Sequence, residues 1–338
     1  MVKIEWFDLK SDAVKEYLEA TIKYIKKQYE SFEDSLTDEI KNEVFCDIAG
    51  KFSEMKVEKF LKYTRQDMIK KTFFRKYIKN PTLSPKCEKA IKEIFNYQIV
   101  NVKRGTKNCP HTLRHNLLTS LNVDCCPYCN RQYITSYKNV AGIRYATADL
   151  DHFYPRKQYP LFALSLFNFV PSCQVCNSRM KHDKSEDCLY PYEESFGENA
   201  FFTVSIIDNC GQKTDEYYKK LLYAFQGRED CDFSIIIDNV ATDSKLRQKI
   251  ENSKKLFKLE EVYQTHQEYV RELLIKQRIY DEGTYRDMLN DQFTKYGLQF
   301  TEAELEVFLY GFHWDDEDHH TRPLSKLTYD LIKRNTGF

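Results

Sequence analysis

Apolar side chains recur at helical spacing through much of the first third of the chain. Val14, Leu18, Ile22 and Ile25 do so behind Ser11 and Asp12, and Ile40, Val44 and Ile48 do so ahead of Gly50. Ser84 followed by Pro85 reads as an N-cap and first helical position, with Ala90, Ile91, Ile94 and Phe95 as the buried stripe. The polar stretch from Asn101 to Cys109 reads as a hinge. Beyond the centre, Phe201 to Ile207 and Phe233 to Ile237 are short β-branched or aromatic runs that predict strands. From Asp243 the helical spacing returns with Leu246, Ile250, Phe257, Val262, Val270 and Leu274, up to Gly283. Further helices are predicted near Glu302 to Tyr310 and Leu324 to Arg334. The expected class is α+β, mainly helical with small β pieces in the centre. Three segments follow: a helical one over 1–108, a central unit over 109–190, and short strands then helices over 191–338.

Composition narrows the class of protein. Hydrophobic residues make up 42% and charged residues 30%, ordinary values for a globular chain. No run of eighteen apolar residues predicts a membrane span, and the N-terminus lacks a basic-then-apolar secretory layout. A cytoplasmic protein is expected. Eleven cysteines, an odd number, fit a disulfide framework poorly, and in a reducing compartment clustered cysteines point to metal or catalysis. The formal net charge is zero, which excludes a uniformly basic nucleic-acid binder. Positive charge is concentrated instead at residues 86–115 (net +5) and 121–185 (net +4), a footprint suited to a polyanion.

Two Cys-x-x-Cys knuckles carry the strongest chemical signal: Cys126-Pro127-Tyr128-Cys129 and Cys173-Gln174-Val175-Cys176. Two-residue spacing lets one tight turn offer both sulfurs, and four thiolates close a tetrahedral structural zinc site. Buried free cysteines can be plain packing residues, but paired knuckles argue against that here. Cys125 could replace Cys126, which is preferred for its two-residue spacing to Cys129. Between the knuckles lie Asp149, Leu150, Asp151, His152 and Phe153, then Asn168, and directly after the second comes Asn177.

In this order the residues resemble the HNH branch of the ββα-metal nucleases. That family has an Asp-His pair ending one strand, an Asn entering the next, and Cys-x-x-Cys-Asn opening a helix. The resemblance covers about residues 121–185. It implies a metal-dependent phosphodiester hydrolase in which His152 is the general base, and Asp151 and Asn177 hold a catalytic Mg²⁺ or Mn²⁺. Asn168 would brace the loop across the hairpin. Asn177 stands where many members carry His, a known variant that still supplies an oxygen ligand. The order of motifs is also similar to HNH proteins of bacterial anti-phage defence operons of the Septu and retron-associated type. Such proteins work beside a partner ATPase.

Arg156, Lys157, Arg179 and Lys181 are candidate phosphate contacts, and each reads equally well as a solvated surface charge. Phe153, Tyr154, Leu161, Phe162, Leu164 and Phe169 read as hairpin core rather than base-stacking platforms. Cys109, His111 and His115 lack an evident fourth ligand, so a linker is preferred there. The run His313, Trp314, Asp315, Asp316, Glu317, Asp318, His319 and His320 reads as a charged solvated loop. The nuclease reading takes DNA or RNA as substrate. A catalytically silent, zinc-scaffolded module binding nucleic acid or a partner is the alternative, and the intact Asp151, His152, Asn168 and Asn177 set argues against it.

Overall fold

The computed structural model describes the chain except residues 107–108, 141–142, 185–186, 207–222, 224–225, 227–232, 282–283, 312–317 and 335–338. It is a mainly helical α+β protein, and the described residues form four separate two-stranded antiparallel sheets. No described helix is long and apolar enough to cross a membrane. The chain divides into two compact units. One comprises Met1–Ile4, Cys125–Tyr133 and Glu186–Phe338, and the other Glu5–Asp124 and Ile134–Ser185.

The second unit is built on the helix Asp12–Phe32. Ser11 caps it by accepting from the Val14 amide, and Val14, Tyr17, Leu18, Ile22, Ile25 and Tyr29 form its buried stripe. The helix Pro85–Ile94 starts as expected at Ser84, whose hydroxyl accepts from the Cys87 amide. Phe60 lies at the middle of an aromatic cluster, with ring centroids 5.3 Å from Phe74, 5.8 Å from Phe95 and 6.4 Å from Phe162. Much of the phenylalanine and tyrosine of this unit is therefore core.

The sequence pattern is corrected at Ile48 in this unit. Ile48 does not extend a helix with Ile40 and Val44 but is fully exposed. The helical path ends at Phe45 because the Asp47 carboxylate accepts from the Ala49 and Lys51 amides, a local turn that Gly50 completes at φ +74°. Part of the stretch from Asn101 to Cys109 is strand. Arg104–Thr106 pairs antiparallel with Cys109–His111. His111 Nε2 lies 2.9 Å from the Glu16 carboxylate, an interaction the linker reading did not foresee.

In the other unit, Ala200–Ile206 pairs with Phe233–Asn239, close to the predicted strands. Tyr263 packs on Phe202 with centroids 4.3 Å apart. The helix Ser325–Arg334 anchors this sheet, since Asp330 accepts from the Phe202 amide at 2.9 Å and also pairs with the buried Lys326. Of the acidic run near the C-terminus, residues 313–317 lie outside the described residues. His319 and His320 are buried rather than solvated, and their carbonyls accept from Asn130 Nδ2 and the Cys125 amide.

Candidate active site and metal centre

Two strands and a helical turn carry the motif. Asp149–His152 pairs antiparallel with Phe169–Ser172, with Asp149 opposite Ser172 and His152 opposite Phe169. The chain then enters the turn Val175–Lys181, which is wound as a π-helix: the His182 amide reaches back to the Asn177 carbonyl at 2.8 Å. His182 takes φ +48° to make that bond, a conformation that costs a side-chain-bearing residue about 1–3 kcal/mol. Asn177 is fixed at the other side too, its amide donating to the Cys173 carbonyl at 3.0 Å.

The strand ends and this turn line a cleft of about 550 Å³. Asp151, His152, Arg156 and Asn177 meet there, joined by Tyr97, Arg114, Asp149, His182 and Asp183. His152 is 8% exposed, and its Nε2 lies 3.0 Å from the Ala163 carbonyl. A carbonyl only accepts, so Nε2 must carry the proton and Nδ1 is left with its lone pair. Tyr97 and Phe169 hold the imidazole edge-on at centroid distances of 4.7 and 5.3 Å. Burial, reinforced by the positive charges of Arg156 and Lys181, lowers the His152 pKa to about 3 despite the Ala163 bond. Burial likewise raises Tyr97 to about 12, against the opposing pull of Arg114 and Arg156.

Asn168 is buried and does not line the cleft. Its Oδ1 accepts from the Tyr154 amide at 2.7 Å, and its Nδ2 donates to the Tyr154 and Phe162 carbonyls at 3.1 and 3.0 Å. These three bonds tie the loop after His152 to its own far end. Arg156 remains at the cleft, its guanidinium 5.2 Å from the Tyr97 ring centre. Lys157 is exposed, pairs with Asp183 at 3.0 Å and does not line the cleft; nor does the exposed Arg179.

Lys181 corrects its expected place as a surface phosphate contact. The side chain is 1% exposed, and its Nζ donates to Asp151 Oδ1 at 3.0 Å and to the His152 carbonyl at 2.6 Å. Losing one partner of a buried ion pair strands the other charge, at a cost on the order of 3–5 kcal/mol. Lys181→Met is accordingly expected to shift the urea midpoint strongly downward, and Lys181→Met with Asp151→Asn to recover part of the loss. A midpoint unchanged in the single variant would mean the pair contributes nothing.

Each knuckle is closed by a local hydrogen bond. In the first, the Asn130 amide returns to the Cys126 carbonyl at 2.7 Å, with Asn130 at φ +51°. In the second, the Cys176 amide points at Cys173 Sγ at 3.4 Å. All four cysteines are buried and their sulfurs lie within 4.8 Å of one another. Four sulfurs at about 2.3 Å from one zinc stand about 3.8 Å apart, so the set is close to the dimensions of a tetrahedral site. The cluster can bind a metal such as zinc.

Tyr97, Arg114 and Asp149 were not singled out in the sequence. Asp149 carried a signal, since Asp-x-Asp on a strand places both carboxylates on one face. Tyr97 and Arg114 reach the cleft from helical segments far upstream, where no local pattern marks them. Compared with known proteins, the chain matches no family model, no curated protein and no solved structure.

Proposed function

We propose that this chain is a metal-dependent nucleic-acid endonuclease of the HNH type, braced by a structural zinc at Cys126, Cys129, Cys173 and Cys176. The observation that carries the reading is the imidazole of His152. Its Nε2 is committed to Ala163, so Nδ1 is the proton acceptor, in one cleft with the oxygen donors Asp151 and Asn177. A binding module needs no such base.

The donor set fits a hard cation: one carboxylate and one amide oxygen, leaving room for waters and a phosphate, suit Mg²⁺ or Mn²⁺. Bound there, the cation would supply charge neutralisation at the phosphate. His152 takes the proton from the attacking water at Nδ1, the ring nitrogen that the Ala163 bond leaves with its lone pair. Asn168 keeps the His152 loop in register. Arg156, and Arg114 beside it in the cleft, offer guanidinium donors to the phosphate oxygens. From the resemblance the reading extends to a cytoplasmic protein of bacterial anti-phage defence acting with a partner ATPase.

The test is a cleavage assay on plasmid, single-stranded DNA and structured RNA with Mg²⁺ or Mn²⁺, repeated with chelator and with Asp151→Ala. Cutting of at least one substrate is expected, lost in both controls. Cutting that persists with chelator, or that Asp151→Ala leaves intact, would overturn the proposal.

A further inference from the structure

Asp149 is half-buried at the start of the strand that ends in His152, and its Oδ2 lies 3.1 Å from Asn177 Nδ2. A carboxylate oxygen can only accept here, so the amide nitrogen of Asn177 must be the end facing it. The opposite arrangement would set an amide oxygen against a carboxylate oxygen. An asparagine amide has two ends of nearly equal size, and nothing in its own shape selects between them. The backbone of Asn177 is already pinned by Cys173 and His182, which leaves this side-chain rotation as the freedom still to be set. The hydrogen bond to Asp149 sets it, and Oδ1 is turned away from Asp149.

We infer that Asp149 is a positioning residue, whose carboxylate turns the Asn177 amide so that its oxygen is the end offered to the divalent cation. The inference rests on the nuclease reading above for the cation itself. It assigns Asp149 a part distinct from that of Asp151: one carboxylate binds the ion, and the other orients the second ligand. Partners of this kind typically contribute about 10–100-fold to metal affinity.

The measurement is Mn²⁺ binding by the full-length, zinc-loaded protein, followed by the electron paramagnetic resonance of the free ion, with circular dichroism to verify folding. Asp149→Ala should weaken Mn²⁺ binding by about 10-fold or more. Asp149→Asn should stay close to wild type, because its amide oxygen accepts the same bond. Asn177→Asp in the Asp149→Ala background should restore binding, since a carboxylate presents oxygen at both ends and needs no orienting partner. Wild-type affinity in Asp149→Ala overturns the inference, as does a failure of Asn177→Asp to rescue. Asp149→Asn as weak as Asp149→Ala also overturns it, pointing to Asp149 as a direct ligand. If wild type binds no Mn²⁺, or Asp151→Ala binds it equally well, the nuclease reading fails first and takes the inference with it.

Discussion

Replacing His152 by alanine is expected to lower metal-dependent cleavage by about 10²–10⁴-fold, the usual contribution of a positioned general base. Fold and Mn²⁺ affinity should change far less, because on the proposed reading the side chain accepts a proton rather than binding the ion. Its pH signature should also be unusual. A solvent-exposed histidine base loses activity as pH falls through its ordinary value of 6.5. Burial instead lowers His152 to about 3, so the base is already deprotonated at pH 5 and no inflection near 6.5 is expected in the cleavage rate. The same shift links folding to pH. Between about 3 and 6.5 the unfolded chain binds a proton at this site that the folded chain excludes, so stability falls as pH drops through that window. Rate–pH profiles and urea midpoints measured at matched pH values check both statements. An acid limb centred near 6.5 in the rate would show that the reacting imidazole is solvated, or that another group is the base.

The purified chain is expected to carry one zinc ion, and Cys176→Ser to lose it together with much of the thermal stability. Structural zinc contributes on the order of 10–16 kcal/mol in small zinc-dependent peptides. Even a fraction of that is large beside the typical 5–15 kcal/mol stability of a whole domain. Elemental analysis of wild type and variant, with melting curves before and after prolonged chelation, gives the answer. A metal-free wild type, melting as high as the zinc-loaded form, would reduce the four cysteines to packing residues. The distinction matters for the candidate active site, because Cys176 directly precedes Asn177. Loss of zinc should therefore also weaken Mn²⁺ binding without any change to an oxygen ligand.

What could be read from the sequence was what depends on neighbours in the chain. The helix at Asp12–Phe32 announces itself by a cap and a stripe, and the knuckles by their two-residue spacing. Of the residues after His152 read as hairpin core, Phe153, Leu161, Phe162, Leu164 and Phe169 are buried and Tyr154 is half-buried. Ile48 misled because apolar periodicity says nothing of the carboxylate one residue earlier, which stabilises a turn instead. Lys181 misled for a deeper reason. Lysines near such a motif look alike in one dimension, and only the strand–turn geometry decides that this one is thirty residues from its counter-charge yet 3.0 Å away. Tyr97 and Arg114 lay beyond reach on the same ground, since their place beside His152 is set wholly by tertiary packing.

The seven residues from Val175 to Lys181 carry Cys176, Asn177 and the internal counter-ion of Asp151 on successive parts of one turn. Such a segment behaves as a keyed shaft, whose length is a functional quantity in its own right. Each residue turns a helical segment by a large fraction of a circle, so deleting any one of Ser178, Arg179 or Met180 would swing Lys181 away from Asp151 while leaving Cys176 and Asn177 where they are. Substitutions at the exposed Ser178 and Arg179 should be borne easily. Changes of length should not, and the natural variation of this turn is expected to run in side chains and never in spacing.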